Sequence, residues 1–368
     1  MKITIKRTEE QVELLKAMAS KNRDVAYEAQ MALAEFIGPV LAKVLNQAPT
    51  LSNLFTNFQF NADDSPSLPL DLYYDITDED YITIWSQTVA GGLPSNTATP
   101  VQSEMKFTTY RLDSAVDFDK RYAQRSRLDV VSKTFTRLAQ EVLLKQERNS
   151  AALIFGALGE AGTRGHPHII GADTAGRLNL NDFNRLLTRA KRINTSWAGG
   201  TTDGPSRGVS DLIISPEITQ SLREIAYNPV NSRGNSTTDI PATDSMRESV
   251  YNNGGIPEFY GINLLELQEM GAGQRFNKIF DAQVSADMNL PGGAYGAFAD
   301  GSHEIVLGID RSRDALLRAI ALDAETGSEM SLMADDQYSV RQNKIGYYAS
   351  LEEGRMIIDD RALFGITV

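Results

Sequence analysis

Side chains suited to catalysis or metal binding are scarce in this 368-residue chain. It has three histidines and no cysteine, which excludes disulfides, thiolate metal sites and cysteine nucleophiles. Two of the histidines, His166 and His168, stand one residue apart in the sequence GHPH. A metal site needs three or four convergent ligands, and the only obvious third ligand would be a distant aspartate or His303. The pair therefore favours a polar turn over a metal site, and we expect no metal and no cofactor.

The short motifs of known enzyme classes are also missing. The glycine-rich stretches WAGGTTDG and MGAGQRF lack the lysine and the strand-to-helix context of a phosphate-binding loop. No Gly-x-Ser-x-Gly elbow of a serine hydrolase occurs. The acidic runs DITDED and MADDQ could pair carboxylates for acid–base chemistry, but such runs are typical of solvated loops. We therefore expect no catalytic residue, and the chain is predicted not to be an enzyme.

The charge balance argues against a general nucleic-acid binder. The formal net charge is −12, from 48 acidic and 36 basic side chains, whereas such binders normally present a basic surface. One predicted helix carries four basic residues that could contact phosphates, or that simply form a solvated face: Arg185, Arg189, Lys191 and Arg192. The solvated face is the favoured interpretation. With no signal-like apolar core and no stretch of about 20 apolar residues, we expect a soluble intracellular product without a membrane segment.

The N-terminal segment is predicted to form a helical arm. Thr8 and Gln11 have the spacing of a helix-capping box, and an apolar stripe follows them. Gly38-Pro39 should break or bend the helix, and the sequence around Pro49 should end it. An amphipathic arm needs a surface to cover its stripe. That surface is either its own domain or another molecule.

A long two-stranded excursion is predicted next. The segments LPLDLYYDITDEDYITIWSQTV and MKFTTYRLDSAVDF are rich in strand-forming residues, and a polar, proline-containing loop separates them. Such a hairpin is marginally stable alone in water, so it must lie on something. Its first strand contains the acids Asp75, Asp78, Glu79 and Asp80, and a basic cluster follows the second strand: Lys120, Arg121, Arg125 and Arg127. The two groups are either ordinary solvated faces or an acidic hairpin and its basic docking surface.

The strongest helix prediction covers Tyr122 to about Phe155. Its apolar positions recur at spacings of 3, 4, 3 and 4 residues, at Leu128, Val131, Phe135, Leu138 and Val142. A helix of that length spans about 45–50 Å and would act as a beam.

Alternating helices and strands are predicted after the beam helix. Asn181 is expected to cap one helix, and Ser215 with Pro216 to begin another after a short buried strand from Val209. The segments NKIFDAQ and HEIVLGID are both predicted to be strands.

The C-terminal residues 341–368 alternate in polarity, with a predicted turn at Glu352-Glu353-Gly354, and remain apolar to Val368. A chain terminus normally frays unless something holds it. We therefore expect these closing strands to be structural.

The order of these parts resembles the major capsid proteins of tailed bacteriophages, which share the Hong Kong ninety-seven phage fold. The resemblance covers the whole chain, and the segments DLIISPEITQSLREI, GAYGAFADGSHEIVLGID and the C-terminal run carry it most clearly. It implies an α+β fold with five parts. These are an N-terminal arm (1–64), a hairpin called the E-loop (65–120), a P-domain with a spine helix and a β-sheet (121–170), an A-domain (171–300), and a return segment with closing P-domain strands (301–368). The terminus would then be held in the P-domain sheet.

The resemblance implies a function as well. The chain would assemble with copies of itself, as hexamers and pentamers, into the icosahedral head shell of a tailed phage around double-stranded DNA. Scaffolding, portal and possibly decoration proteins would be its partners, the host cytoplasm its place of assembly, and the virion its final location. Some family members crosslink through a lysine on the hairpin, which is unlikely here because the hairpin has no lysine before Lys106. The acids Asp75–Asp80 would pack near a neighbour's basic cluster.

Two alternatives stay open from the sequence. One is an encapsulin-like bacterial compartment, which a cargo-binding inner groove would distinguish. The other is an α/β hydrolase or sugar-binding enzyme, which would need acids converging with His166, His168 or His303.

Overall fold

The computed structural model describes residues 8–48, 50–61, 66–69, 104–163, 168–174, 176–194, 208–227, 258–283, 298–323, 327–335 and 343–368. The chain divides into two compact units. Unit 1 comprises Met1–Pro66, Lys106–Ser150 and Leu316–Met356, and unit 2 comprises Ser67–Met105, Ala151–Ala315 and Ile357–Val368. The described residues confirm a mixed α+β architecture.

Seven helices are found in the described residues: α1 (Glu9–Met18), α2 (Arg23–Asn46), α3 (Lys120–Gln124), α4 (Leu128–Thr163), α5 (Leu180–Asn194), α6 (Pro216–Tyr227) and α7 (Arg275–Gln283). The strands described are β1 (Thr56–Asn61), β2 (Ser67–Pro69), β3 (Glu104–Lys106), β4 (Thr109–Asp119), β5 (Ile169–Gly171), β6 (Asp211–Ile214), β7 (Glu258–Phe259), β8 (Ile262–Glu266), β9 (Ile305–Ile309), β10 (Leu316–Leu322), β11 (Ser331–Asp335), β12 (Lys344–Ile357) and β13 (Leu363–Thr367).

Unit 1 is a sheet covered by helices. The strand order is β1-β10-β12-β11, and β4 also pairs with β12. β4 and β12 are antiparallel from Lys344 opposite Asp119 to Gly354 opposite Thr109, whereas β1 and β10 run parallel. The predicted apolar stripe is confirmed, because Val131, Phe135, Leu138 and Val142 are all buried in the core of this unit.

The helical arm differs from its prediction at Gly38-Pro39. Thr8 caps α1 as expected, since its hydroxyl accepts a hydrogen bond from the Gln11 amide at 3.4 Å. The arm breaks after Met18 instead, and α2 then passes through Pro39 and ends at Asn46. A proline inside a helix costs about 3 kcal/mol. The stripe Ala29, Leu33, Ile37, Leu41 and Leu45 is buried on both sides of the proline, and each buried Leu or Ile contributes about 1.5–3 kcal/mol, which offsets that cost.

The beam helix begins later and ends later than predicted. Lys120–Gln124 form the short helix α3, and α4 starts only at Leu128. Ser126 lies between them with a φ of 51°, a left-handed conformation that a continuous helix cannot contain. α4 then extends to Thr163, eight residues beyond the predicted end at Phe155.

Unit 2 contains a six-stranded sheet in the order β5-β13-β9-β6-β8-β7. α5 and α6 contribute Phe183, Leu186, Ile218 and Leu222 to a core shared with β6, β9 and β13. Ser215 caps α6 as predicted, because its hydroxyl accepts from the Ile218 amide at 3.1 Å. The cap of α5 is Asn179 and not Asn181, since the Asn179 carbonyl accepts the Phe183 amide at 3.2 Å.

Two predictions about strands are wrong. The segment NKIFDAQ lies in helix α7, where Phe276 and Phe280 are buried one helical turn apart. The two closing strands also enter different sheets, because β12 belongs to the five-stranded sheet and β13 to the six-stranded sheet. Leu363, Phe364 and Ile366 of β13 are fully buried. β13 pairs with β5 and β9 along its two edges, and Phe364 and Ile366 pack in the core that α5 and α6 cover.

Candidate functional site

The predicted basic cluster lies around the break between α3 and α4. Lys120 and Arg121 are the first two residues of α3, Arg125 is its C-cap, and Arg127 directly precedes α4. Arg121, Arg125 and Arg127 are exposed and Lys120 is half-buried. The structure therefore places these four side chains within one short segment of unit 1.

Two side chains of the cluster already bond to other residues of the same chain. The Lys120 Nζ donates to the Ser20 carbonyl oxygen at 3.1 Å. Arg121 pairs with Asp119 at 2.8 Å; the hydrogen bond between them raises the pKa of the guanidinium and lowers that of the carboxyl. Arg125 and Arg127 have no side-chain partner among the described residues. These two arginines are the members available to another molecule.

The acidic half of the predicted interface lies outside the described residues. Asp75, Asp78, Glu79 and Asp80 all fall in the segment between Pro69 and Glu104. Their approach to the basic cluster therefore stays a prediction. The described part of the excursion is the strand pair β2–β3 and the long strand β4.

Helix α2 carries exposed apolar side chains on both sides of its buried stripe. Nine large apolar side chains are exposed in the described residues, and five of them lie on this helix: Val25, Tyr27, Met31, Phe36 and Val40. Phe36 is the most open of the nine, with 64% of its surface exposed. Val25, Phe36 and Val40 lie on one side of the buried stripe and Tyr27 and Met31 on the other, because a helix has 3.6 residues per turn. Among the described helices, α2 therefore exposes the most large apolar side chains.

A buried carboxylate that the sequence analysis missed organises the sheet of unit 1. Glu353 is fully buried, and its side chain accepts from Arg318 Nε at 2.8 Å, from Tyr110 Oη at 2.7 Å and from Gln146 Nε2 at 3.1 Å. Arg355 Nη2 donates to both carboxylate oxygens at 3.2 Å. We call these five residues the Glu353 centre. One carboxylate thereby joins β4, α4, β10 and β12.

Opposing effects set the protonation of this centre. Burial raises the pKa of Glu353, but Arg355, Arg318 and the hydrogen bonds together outweigh it and hold the pKa below its ordinary value. Burial lowers the pKa of Arg318, and the attraction of Glu353 opposes that shift. Burial, and next the charge of Glu353, raise the pKa of Tyr110 to about 12. The centre therefore holds an ionised carboxylate, two guanidinium groups and a neutral phenol.

A second set of contacts extends the centre toward the N-terminal segment. Arg355 Nη2 also donates to the Ser52 hydroxyl at 2.6 Å, and its guanidinium lies over the Phe55 ring at 5.3 Å. The Glu147 carboxylate accepts from the Leu51 and Ser52 amides at 3.0 and 3.2 Å. The Glu353 centre thus fixes the chain that follows α2 as well as the sheet.

The predicted turn at Glu352-Glu353-Gly354 is wrong because these residues lie inside β12. Tyr347, Ala349, Leu351 and Glu353 occupy alternate positions along the strand and are all buried. Continuing this alternation would have placed Glu353 on the buried face, with Arg355 two residues further on. Gly354 serves close packing, since a Cβ there would lie 2.9 Å from the Thr108 carbonyl oxygen.

The remaining chemistry candidates have structural roles. His168 is buried, its Nδ1 lies 2.8 Å from the Leu363 carbonyl oxygen, and its ring stacks on Phe364. The His303 Nδ1 accepts from the Ala299 amide at 3.0 Å. His166 lies outside the described residues. Within the parts of the chain that the structure describes, no three His, Asp or Glu side chains form a group that could hold a metal ion.

Of the helices described, none is both long and apolar enough to cross a membrane.

The basic helix face in α5 is partly occupied as well. Arg185 pairs with Asp173 and lies 3.5 Å from Asp182. These two carboxylates balance the charge of Arg185. The helix face is therefore better interpreted as a charge-balanced surface than as a phosphate-binding face.

With both units described, comparison with solved structures defines the class of fold. The chain has the Hong Kong ninety-seven-type capsid fold that its sequence resembles. The capsid subunit of a native GTA particle is similar over 87% of this chain and 89% of its own, with a TM-score of 0.50 and 12% identity. A structure of Gordonia phage Cozz is similar over 86% of this chain and 85% of its own, with a TM-score of 0.43 and 14% identity. The SrpI encapsulin of Synechococcus elongatus is similar over 86% of this chain and 85% of its own, with a TM-score of 0.42 and 12% identity. Neither models of known protein families nor curated protein sequences match the chain.

Proposed function

We propose that this chain is the major capsid protein of a tailed bacteriophage, which assembles into an icosahedral head shell around double-stranded DNA. The observation that carries the proposal is the fold, which is shared with a capsid subunit over 87% of the chain. The exposed apolar side chains of α2 support it, because neighbouring copies in a shell would supply the cover that these side chains lack. The work of such a protein is assembly, so its functional residues are those that meet other copies.

The proposed partners follow from the same assembly. The chain would meet copies of itself in hexamers and pentamers, with scaffolding, portal and possibly decoration proteins as further partners. It would assemble in the host cytoplasm and reside in the virion. The net charge of −12 suits a shell that encloses DNA without gripping it.

We also propose that the basic cluster docks the acidic hairpin of a neighbouring copy. Arg125 and Arg127 are exposed at the break before α4, and they would face Asp75, Asp78, Glu79 or Asp80 of the neighbour. An exposed ion pair contributes only about 0.2–1 kcal/mol. A shell repeats each contact in every copy, so small terms of this size add up over the whole assembly.

The function is tested by negative-stain electron microscopy of the purified protein, expressed alone and together with its genomic neighbours. Closed shells or capsomer rings are the expected result. Shells that hold DNA support the phage capsid, whereas shells that hold a cargo protein and no DNA support an encapsulin-like compartment instead. Monomers in both preparations would contradict a shell protein of either kind.

The interface is tested by the double variant R125E/R127E. We expect a folded monomer with an unchanged circular dichroism spectrum and a loss of shells. The matched control is K133E/K145E, which makes the same charge change at two exposed positions of α4. Intact shells from R125E/R127E, or an equal loss in the control, would show that the basic cluster is not the docking surface.

A further inference from the structure

Strand β4 leaves one edge of the unit 1 sheet open among the described residues. Its other edge pairs with β12 over all 11 residues without a bulge. Of the backbone hydrogen bonds found outside the ladders in the described chain, none involves Thr109–Asp119. Alternate residues of an antiparallel strand direct their N–H and C=O groups to opposite edges. The open edge of β4 therefore presents a row of backbone donors and acceptors about 37 Å long, with which another strand can pair.

The sequence of β4 fits a second copy of the same strand on this edge. A two-fold axis between the copies makes the two strands antiparallel, and the register that pairs all 11 residues places Ser114 opposite the second copy's Ser114. On the exposed face, Arg111 then lies opposite the second copy's Asp117. On the inner face, Leu112 lies opposite the second copy's Val116. The axis repeats both pairs, so the junction contains two ion pairs and two apolar pairs.

The charges of the exposed face select this register over its neighbours. A shift of two residues in one direction places Asp113 opposite the second copy's Asp113, and a shift of two in the other direction places it opposite the second copy's Asp117. Like charges directly opposite each other are destabilising. A shift of one residue would put the exposed face of one copy beside the inner face of the other. The pattern therefore favours one pairing and disfavours the adjacent ones.

The contacts inside the chain leave room for the new ion pair. Arg111 Nε donates to Asp113 Oδ1 at 2.8 Å, and Lys344 Nζ donates to Asp117 Oδ2 at 2.6 Å. A guanidinium has five donors and a carboxylate accepts at about four positions. Arg111 can therefore bridge Asp113 of its own chain and the second copy's Asp117, while Asp117 keeps its lysine.

We infer that β4 pairs with β4 of a second copy, antiparallel across a two-fold axis, and joins the two five-stranded sheets of unit 1 into one continuous sheet. Leu112 and Val116 are partly buried against the core of unit 1, and in the pair they cover each other across the junction. An icosahedral shell contains two-fold axes, so this pairing fits the proposed function. It goes beyond that function, because two free copies can pair in the same way.

The absence of cysteine allows a direct test by disulfide trapping. The variant S114C places one thiol on each copy at the axis, where directly opposite Cα atoms lie about 4.5–5.5 Å apart, within the range of a disulfide. The control T109C lies on the same strand and is equally half-buried, but the two copies of this position are about 34 Å apart in the pair. Under a mild oxidant, we expect S114C to form a covalent dimer at least about tenfold faster than T109C.

Charge reversal tests the register. R111D or D117R, added to S114C, should each slow trapping about threefold or more, because each places like charges opposite each other at two positions. The combination R111D/D117R should restore the rate. Positions 111 and 117 of one strand are about 20 Å apart, so a restored rate reports contact between copies.

Gel electrophoresis without reductant, applied to free protein and to shells, separates the outcomes. A rate for S114C no faster than for T109C overturns the inference and means that the charges of β4 only protect its edge. Failure of R111D/D117R to restore the rate overturns it as well. Shells of S114C that contain no disulfide leave the proposed function intact and overturn the inference. Trapped dimers that never form shells support the inference and count against the proposed function.

Discussion

Replacing Glu353 with glutamine tests whether its carboxylate holds unit 1 together. The substitution keeps the shape of the side chain and removes its charge. Arg318 and Arg355, each with only 2% of its side chain exposed, are then left without their counter-ion. The new amide has one acceptor oxygen, and its NH2 group faces the donor of either Tyr110 or Gln146, because these two side chains donate to different oxygens of Glu353.

The size of the effect follows from these contacts. Breaking a buried ion pair by removing one partner costs about 3–5 kcal/mol, because the other charge stays buried. A loss of 1 kcal/mol lowers the melting temperature by about 2–4 °C for a folding unit of this size. E353Q should therefore unfold about 6–20 °C below the original protein.

Thermal and urea unfolding followed by circular dichroism measure this loss. The control is E352Q, which removes the same charge from the adjacent, partly exposed residue and should change stability by less than about 0.5 kcal/mol. A second arm replaces the whole buried charge cluster with apolar side chains, as E353L/R318M/R355M. Well-packed apolar replacements of buried ion pairs are often neutral or stabilising, so this variant should recover part of the loss.

Two outcomes would refute the reasoning. If E353Q and E352Q lose equal stability, the effect is one of net charge and the buried centre has no special role. If R318Q and E353Q destabilise additively in the double variant, the two side chains do not interact in the folded protein, since contacting residues are expected to couple by about 0.5–3 kcal/mol.

Three further predictions concern the same region. The pKa of Glu353 in the folded protein lies below the ordinary glutamate pKa of about 4.3. The ionised side chain therefore contributes stability that is fully present above that ordinary value and is lost as the pH falls through the folded value. Unfolding free energies between pH 7 and 3 should show this loss in the original protein and lack it in E353Q. Tyr347 is fully buried and its hydroxyl has no hydrogen-bond partner among the described residues, so Y347F should be neutral or stabilising by about 1–2 kcal/mol. Y110F should destabilise by about 1–3 kcal/mol, because it leaves the Glu353 carboxylate one donor short. Urea unfolding of the two variants distinguishes opposite signs from a common effect of hydroxyl removal. G354A should cost about 1–3 kcal/mol because its new methyl group would meet the Thr108 carbonyl directly before β4. G301A, with open space around it, should cost less than about 0.5 kcal/mol in the same assay.

The sequence predicted those parts of the fold that local patterns control. The caps at Thr8 and Ser215 were correct, because each hydroxyl bonds to an amide only three residues away. The apolar stripe of α4 was also correct, since its period is a local property of the sequence. The order of the elements then led to the capsid fold that the structural comparison supports.

The wrong predictions concern features that depend on contacts between residues far apart in the sequence. Pro39 stays helical because the faces of α2 on both sides of it are buried, and no local signal contains that information. Glu353 resembled part of a polar turn, because its partners Tyr110 and Gln146 stand 243 and 207 positions away in the sequence. The exposed apolar side chains of α2 could be recognised only once its buried stripe had been assigned.

This separation of partners has a consequence for the order of events during synthesis. Unit 1 combines three chain segments, and the last of them, Leu316–Met356, supplies both Arg318 and Glu353. Ribosomes add about 5–20 residues per second, so Tyr110 and Gln146 wait about 10–50 s for their carboxylate. Pairing over such distances is also slow in folding. The sheet of unit 1 therefore closes only after residues 316–356 have been made, and a chain terminated before them lacks three of its five strands, β10, β11 and β12.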